Sequence, residues 1–151
     1  MGLFDKVFNI QNLQSQTQQT LSPAEAFAAI CLAATASDGY FSEEEARGIS
    51  FILSRMQLFK SYPHDVINRM FDKLVGILKR QGVSNLLNLA KQSLPYELRD
   101  TAFAVATDLV LADGVVTQEE QNLLNELYQA LEVSPEVATQ IVQIMLIKNR
   151  G

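Results

Sequence analysis

The chain has 151 residues, 48% of them hydrophobic and 19% charged, and carries a formal net charge of −5. That length suffices for one domain with a sizeable core, and the acidic balance excludes a general nucleic-acid binder, whose surface must neutralise phosphates. A single cysteine, Cys31, and a single histidine, His64, exclude an intramolecular disulfide and any Cys/His zinc set, and the seven glycines form no phosphate-cradling loop.

Residues 1–21 read as a separate segment. Leu3, Phe4, Val7 and Phe8 recur at helical spacing, and the polar stretch Gln11 to Thr20 that follows contains five glutamines. The pattern predicts a short amphipathic helix that docks on the body through a linker. Gly2 suggests an acylation site, but Lys6 stands where that motif needs Ser or Thr. No basic face accompanies Phe4 and Phe8 to hold them at a membrane surface. The segment lacks a basic-then-apolar leader layout. No apolar run reaches the roughly 20 residues that span a bilayer. With one unpaired cysteine, a reducing, cytoplasmic location is expected.

From residue 22 onward every segment reads as helix. Ser22-Pro23-Ala24-Glu25 is a capping box with proline in the first turn, and it opens a helix that Asp38-Gly39 stops. Ser42-Glu43-Glu44-Glu45 opens the second, whose apolar face is Ile49, Ile52, Leu53 and Met56. Pro63 opens a third, with Val66, Ile67, Met70, Phe71, Leu74, Val75 and Leu78 on one stripe. Gln81-Gly82 ends it, and Ser84 caps a short fourth helix to about Gln92. Pro95 lies in the first turn of a fifth. Its stretch Phe103 to Leu111 is apolar nearly all round, which places it at the centre of a bundle. Thr117-Gln118-Glu119-Glu120 caps the sixth, with Leu123, Leu124, Leu127 and Leu131 inward, and Ser134-Pro135-Glu136 the seventh, with Val137, Ile141, Ile144 and Met145. No segment alternates with period two. The expected fold class is all-α.

The two Asp-Gly sites belong to an internal repeat. Asp38-Gly39-Tyr40-Phe41-Ser42-Glu43-Glu44-Glu45 aligns with Asp113-Gly114-Val115-Val116-Thr117-Gln118-Glu119-Glu120 at an offset of 75 residues. The offset also pairs Ile30 with Val105, Ile49 with Leu124, Ile52 with Leu127 and Met56 with Leu131. The repeat covers about residues 26–58 and 101–133, so residues 22–151 are expected to hold two similar helix-loop-helix halves, packed about a pseudo-two-fold axis. Charge is uneven along them: Lys60 to Arg99 has seven basic and three acidic residues, and Asp100 to Ile147 has eight acidic and none basic. An acidic surface of this kind suits a cation or a basic partner.

Each loop matches the second half of a calcium-binding EF-hand. Asp38 and Asp113 fall at position 5, Gly39 and Gly114 at the sharp turn, and Glu45 and Glu120 at the bidentate position 12. The first half is missing, because Ala34 and Ala36, or Leu109 and Leu111, stand where oxygen ligands belong. One half-loop supplies three or four of the six to eight oxygens a hard cation takes. Convergence of both loops would bring Asp38, Glu45, Asp113 and Glu120 together, with Glu44, Glu119 and Asp108 nearby in sequence. The same residues also satisfy ordinary capping chemistry, Asp-Gly as a helix stop and Ser/Thr-x-x-Glu as a helix start. Paired carboxylates without a nucleophile give no basis for catalysis. His64 reads as a surface residue, and Cys31, inside Phe27 to Ala34, as core.

The paired loops Ser37-Asp38-Gly39-Tyr40-Phe41-Ser42-Glu43-Glu44-Glu45 and Ala112-Asp113-Gly114-Val115-Val116-Thr117-Gln118-Glu119-Glu120 resemble those of the TerB family of tellurite-resistance proteins. The opening Met1-Gly2-Leu3-Phe4-Asp5-Lys6-Val7-Phe8 looks like that family's N-terminus, and the likeness extends over about residues 22–148. It implies a compact all-α bundle of about seven helices in two similar halves. It also implies a non-enzymatic protein that binds a divalent cation, calcium or a similar hard ion, within a tellurite-resistance or related stress response. The metal residues carried over by motif are Asp38, Glu45, Asp113 and Glu120, then Glu44 and Glu119. Gln118 stands where an acid would match Glu43. The implied partners are other Ter-type or stress-response proteins, one of them a membrane protein, which would put the chain in the cytoplasm or at the membrane periphery. TerB-like domains also resemble the helical domain of some DnaJ-type cochaperones, so the alternative is a metal-independent adaptor.

Overall fold

The computed structural model describes residues 20–36, 42–112 and 114–150. Among them are six α-helices: α1 (Pro23–Thr35), α2 (Glu43–Ser54), α3 (His64–Ser93), α4 (Arg99–Val110), α5 (Gln118–Ala130) and α6 (Pro135–Lys148). Short 3₁₀ turns at Gln57–Phe59 and Tyr96–Leu98 precede α3 and α4. No strand occurs among the described residues, and the fold is all-α as expected. None of their helices is long and apolar enough to cross a membrane. The predicted N-terminal amphipathic helix lies outside the described residues.

Among the described residues six helical spans stand where seven helices were expected, because α3 joins the predicted third and fourth helices, which meet at a kink at Gly82. Gly82 interrupts it at φ 88° and ψ 169°. A Cβ there would meet nothing within 4 Å, so the torsion and not the space requires glycine. The Asn85 side chain donates to the Gln81 carbonyl at 2.9 Å and satisfies an acceptor at the break.

The helix starts follow the capping chemistry of the sequence. At α1 the Ser22 Oγ accepts from the Glu25 N–H (3.1 Å), while the Glu25 carboxylate accepts from the Ser22 N–H (2.9 Å). Thr117 and Glu120 make the same reciprocal pair at α5, at 3.1 and 3.0 Å. At α6, Ser134 Oγ accepts from the Val137 N–H at 3.2 Å. Each pair satisfies N–H groups that the first helical turn leaves without a partner.

The centre of the bundle is α1, not α4. Every residue from Ala26 to Ala34 is at most 2% exposed, and α1 packs against α2, α3, α4 and α5. Small side chains explain this: alanines at 26, 28, 29, 33 and 34 let neighbouring helices approach from all sides. Phe27, also fully buried, meets Phe59 edge-on at 6.3 Å between ring centroids. By contrast Ala104, Val105, Asp108 and Leu109 of α4 are only half-buried. Phe103 anchors α4 and contacts Tyr128 edge-on, also at 6.3 Å. Two residues assigned to inward faces lie outward instead: Ile52 of α2 is 45% exposed and Ile144 of α6 is 59% exposed.

Candidate functional site

Four helix ends meet at one open groove of about 380 Å³. The last turns of α1 and α4 contribute Ala34 and Thr35, Leu109 and Val110; the first turns of α2 and α5 contribute Glu45 and Glu120. The offset of 75 relates each of these residues to another on the opposite side: 34 to 109, 35 to 110, 45 to 120. Ile49 and Ile52 complete the α2 wall. The groove therefore presents two carboxylates on otherwise mostly apolar walls, each in the first turn of a helix, where the positive end of the helix dipole favours negative charge.

The two carboxylates differ in their commitments. Glu120 accepts from the Thr117 N–H, which uses one of the roughly four lone-pair sites of a carboxylate. At α2 only the first half of the box forms: Ser42 Oγ accepts from the Glu45 N–H at 3.1 Å. Thr35 turns its hydroxyl back to its own helix, donating to the carbonyls of Cys31 and Leu32.

The remaining sequence candidates fall elsewhere. Glu44 and Glu119 are exposed neighbours of the two groove glutamates and do not line the groove. Asp108 accepts from Lys148 Nζ at 3.2 Å and Asn149 Nδ2 at 2.9 Å, tying α4 to the end of α6. Asp38 and Asp113 lie outside the described residues. Among the described residues, no group of three or more His, Cys, Asp or Glu side chains could hold a metal ion. Glu45 and Glu120 are hard oxygen donors of the type calcium takes, and the two together offer at most about four of its six to eight oxygens.

Cys31 is fully buried, and burial pushes its thiol up to about 12, so it is no nucleophile. His64 is exposed at the start of α3. A second, larger groove, between α2 and α3 and lined in part by Arg47, Ser50 and Lys79, escaped the sequence reading. Its only signal was a glycine, Gly76, in the middle of an otherwise regular helical stripe.

Residues 24–143 match the family model described as Tellurite resistance protein TerB. No individual curated protein and no solved structure shows significant similarity to the chain.

Proposed function

The chain belongs to the TerB family, and from that premise we propose that it is a non-enzymatic accessory protein of a tellurite-resistance or related stress response that binds a divalent hard cation. The observation that carries this reading is the shared groove: Glu45 and Glu120, 75 residues apart in sequence, line one cleft at the starts of two helices. Asp38 and Asp113 precede those helices and are the nearest further carboxylates in sequence. Two half-loops brought to one place would supply the oxygen count that neither loop reaches alone.

Calorimetric titration of calcium into the chelator-treated full chain tests the proposal. Saturable binding is expected, weakened at least about tenfold by Glu45→Gln/Glu120→Gln and by Asp38→Asn/Asp113→Asn, since each pair removes two charged ligands. No saturable heat up to about 10 mM calcium, beyond the weakest class of such sites, would sink it.

A metal-independent adaptor is the second reading, favoured by apolar side chains left on the surface. Phe51 of α2 is 64% exposed, and Ile144 and Ile147 of α6 are 59% and 63% exposed. Capture of a stress-response partner that survives chelation and is lost on Ile144→Ser/Ile147→Ser would favour this reading over the first.

A further inference from the structure

The groove between α2 and α3 has a volume of about 520 Å³, within the range of roughly 300–1,000 Å³ typical of small-molecule sites. It opens because the facing residues are small. Ala46 of α2 stands on one wall, Val75 and Gly76 of α3 on the other. Glycine in a helix interior is disfavoured and usually marks a close approach of another element. No such approach occurs at Gly76: a Cβ there would meet only the guanidinium of Arg80, at 3.2 Å, the flexible end of a side chain on the same helix. The missing side chain leaves space and brings nothing closer.

Polar and charged groups converge on that space. Ser50 lines the groove and is only 8% exposed, and among the described residues its hydroxyl has no hydrogen-bond partner. No fully enclosed side-chain oxygen in the described residues lacks a partner, so the Ser50 hydroxyl keeps its opening to the groove. Phe71, 4% exposed, supplies an aromatic surface beside it. Lys79 on α3 brings a cation to the groove, facing the α2 wall that carries Arg47, in a protein whose net charge is −5. Among the described lining residues the one carboxylate is Asp72, seven residues from Lys79, about 10 Å along α3. An anionic group is therefore favoured at the Lys79 end, with an apolar body lying over Phe71 and Val75.

We propose that this groove binds a small amphiphilic anion, an aryl or short alkyl group bearing a carboxylate or similar acidic head. The site is separate from the two-glutamate groove and independent of any metal there.

The test is a ¹⁵N NMR titration of the full chain with 2-naphthoate and, in parallel, with neutral 2-naphthamide. Saturable shifts centred on the amides of Ala46, Ser50, Val75 and Gly76 are expected with naphthoate. Gly76→Leu, which fills the groove and improves helix propensity, should weaken binding at least about tenfold, as should Ala46→Leu from the other wall. Lys79→Gln should weaken naphthoate several-fold, by about the worth of one partly exposed charge contact, and leave naphthamide unaffected. Circular dichroism confirms that each variant remains helical. The proposal is overturned by any of four results: no saturable shift at millimolar naphthoate, shifts centred instead on Ile144 and Ile147, binding unchanged in both helical groove-filling variants, or naphthamide binding as tightly as naphthoate.

Discussion

The two copies of the repeat begin with similar residues and end in different environments. At the offset of 75, α1 and α4 align residue for residue: Glu25 with Asp100, Ala29 with Ala104, Ala33 with Asp108. In α1 these positions are half-buried and paired, fully buried, and 1% exposed. In α4 they are exposed, half-buried, and half-buried with an ion pair to Lys148. The difference follows from neighbours: α1 is enclosed by four helices, whereas α4 rests on α1, α5, α6 and a 3₁₀ turn and keeps one side wet. A duplicated pattern thus yields one helix that is all core and one that is amphipathic. The second can carry a charge where the first cannot.

The sharpest way to break this contrast is to transplant that charge. Ala33→Asp places in α1 the residue found at the matching position of α4. It buries a carboxylate with no cation beside it and should cost about 3 kcal/mol or more, the range measured for uncompensated buried charges. The reciprocal Asp108→Ala removes a partly exposed pair and should cost no more than about 1 kcal/mol. Urea denaturation of both variants measures the gap, and near-equal losses would show that α1 is not the enclosed helix. A milder version uses volume alone. Ala29→Leu overpacks a site with no free surface and should lose about 1–3 kcal/mol, while Ala104→Leu, half-buried, should stay within about 0.5 kcal/mol of wild type.

The helix starts come next in size. Ser22→Ala and Thr117→Ala each break a complete capping box and should cost about 1 kcal/mol. Ser42→Ala breaks only one hydrogen bond and should fall at the low end of the capping range, about 0.5 kcal/mol. If Ser42→Ala proved as costly as Thr117→Ala in thermal melts, Glu45 would be bound into its cap as Glu120 is. That would remove the contrast between the two groove carboxylates.

Local chemistry was legible in the sequence, and global placement was not. Ser22, Thr117 and Ser134 announced their helices, and Gly82 announced a break, because capping and positive φ depend on a few consecutive residues. Which helix is central depends on all the others, and a run such as Phe103 to Leu111 looks as apolar as Ala26 to Ala34 when side-chain volume is ignored. The alanines were the missed signal: a helix approached from every side needs small residues more than oily ones. Half of the candidate site was legible for the same local reason, since the caps Ser42 and Thr117 mark the helix starts that carry Glu45 and Glu120. Their meeting across one groove is a property of how the two copies pack. The exposure of Ile52 beside that groove likewise depends on what α2 does not touch.

The smallest effect concerns acid, and it sits on α1 alone. Partial burial pushes the Glu25 carboxyl up, but the Ser22 N–H it accepts and Lys73, whose Nζ lies 3.0 Å from Oε2, outweigh this and hold it below the ordinary carboxylate value. A carboxyl lowered on folding binds protons more weakly folded than unfolded. Its stabilisation is therefore complete above the unfolded pKa, near 4.5, and is lost as pH falls through the folded value. Glu25→Gln should accordingly lower stability at pH 7 while flattening its decline below about pH 4.5. Lys73→Met, which keeps the stem and removes the charge, should reproduce part of that flattening, because the Ser22 hydrogen bond remains. Urea midpoints from pH 7 to pH 3 would measure both. If wild type and Glu25→Gln decline in parallel through that window, the acid sensitivity belongs to other carboxylates, and the Glu25 cap contributes through geometry and not through charge.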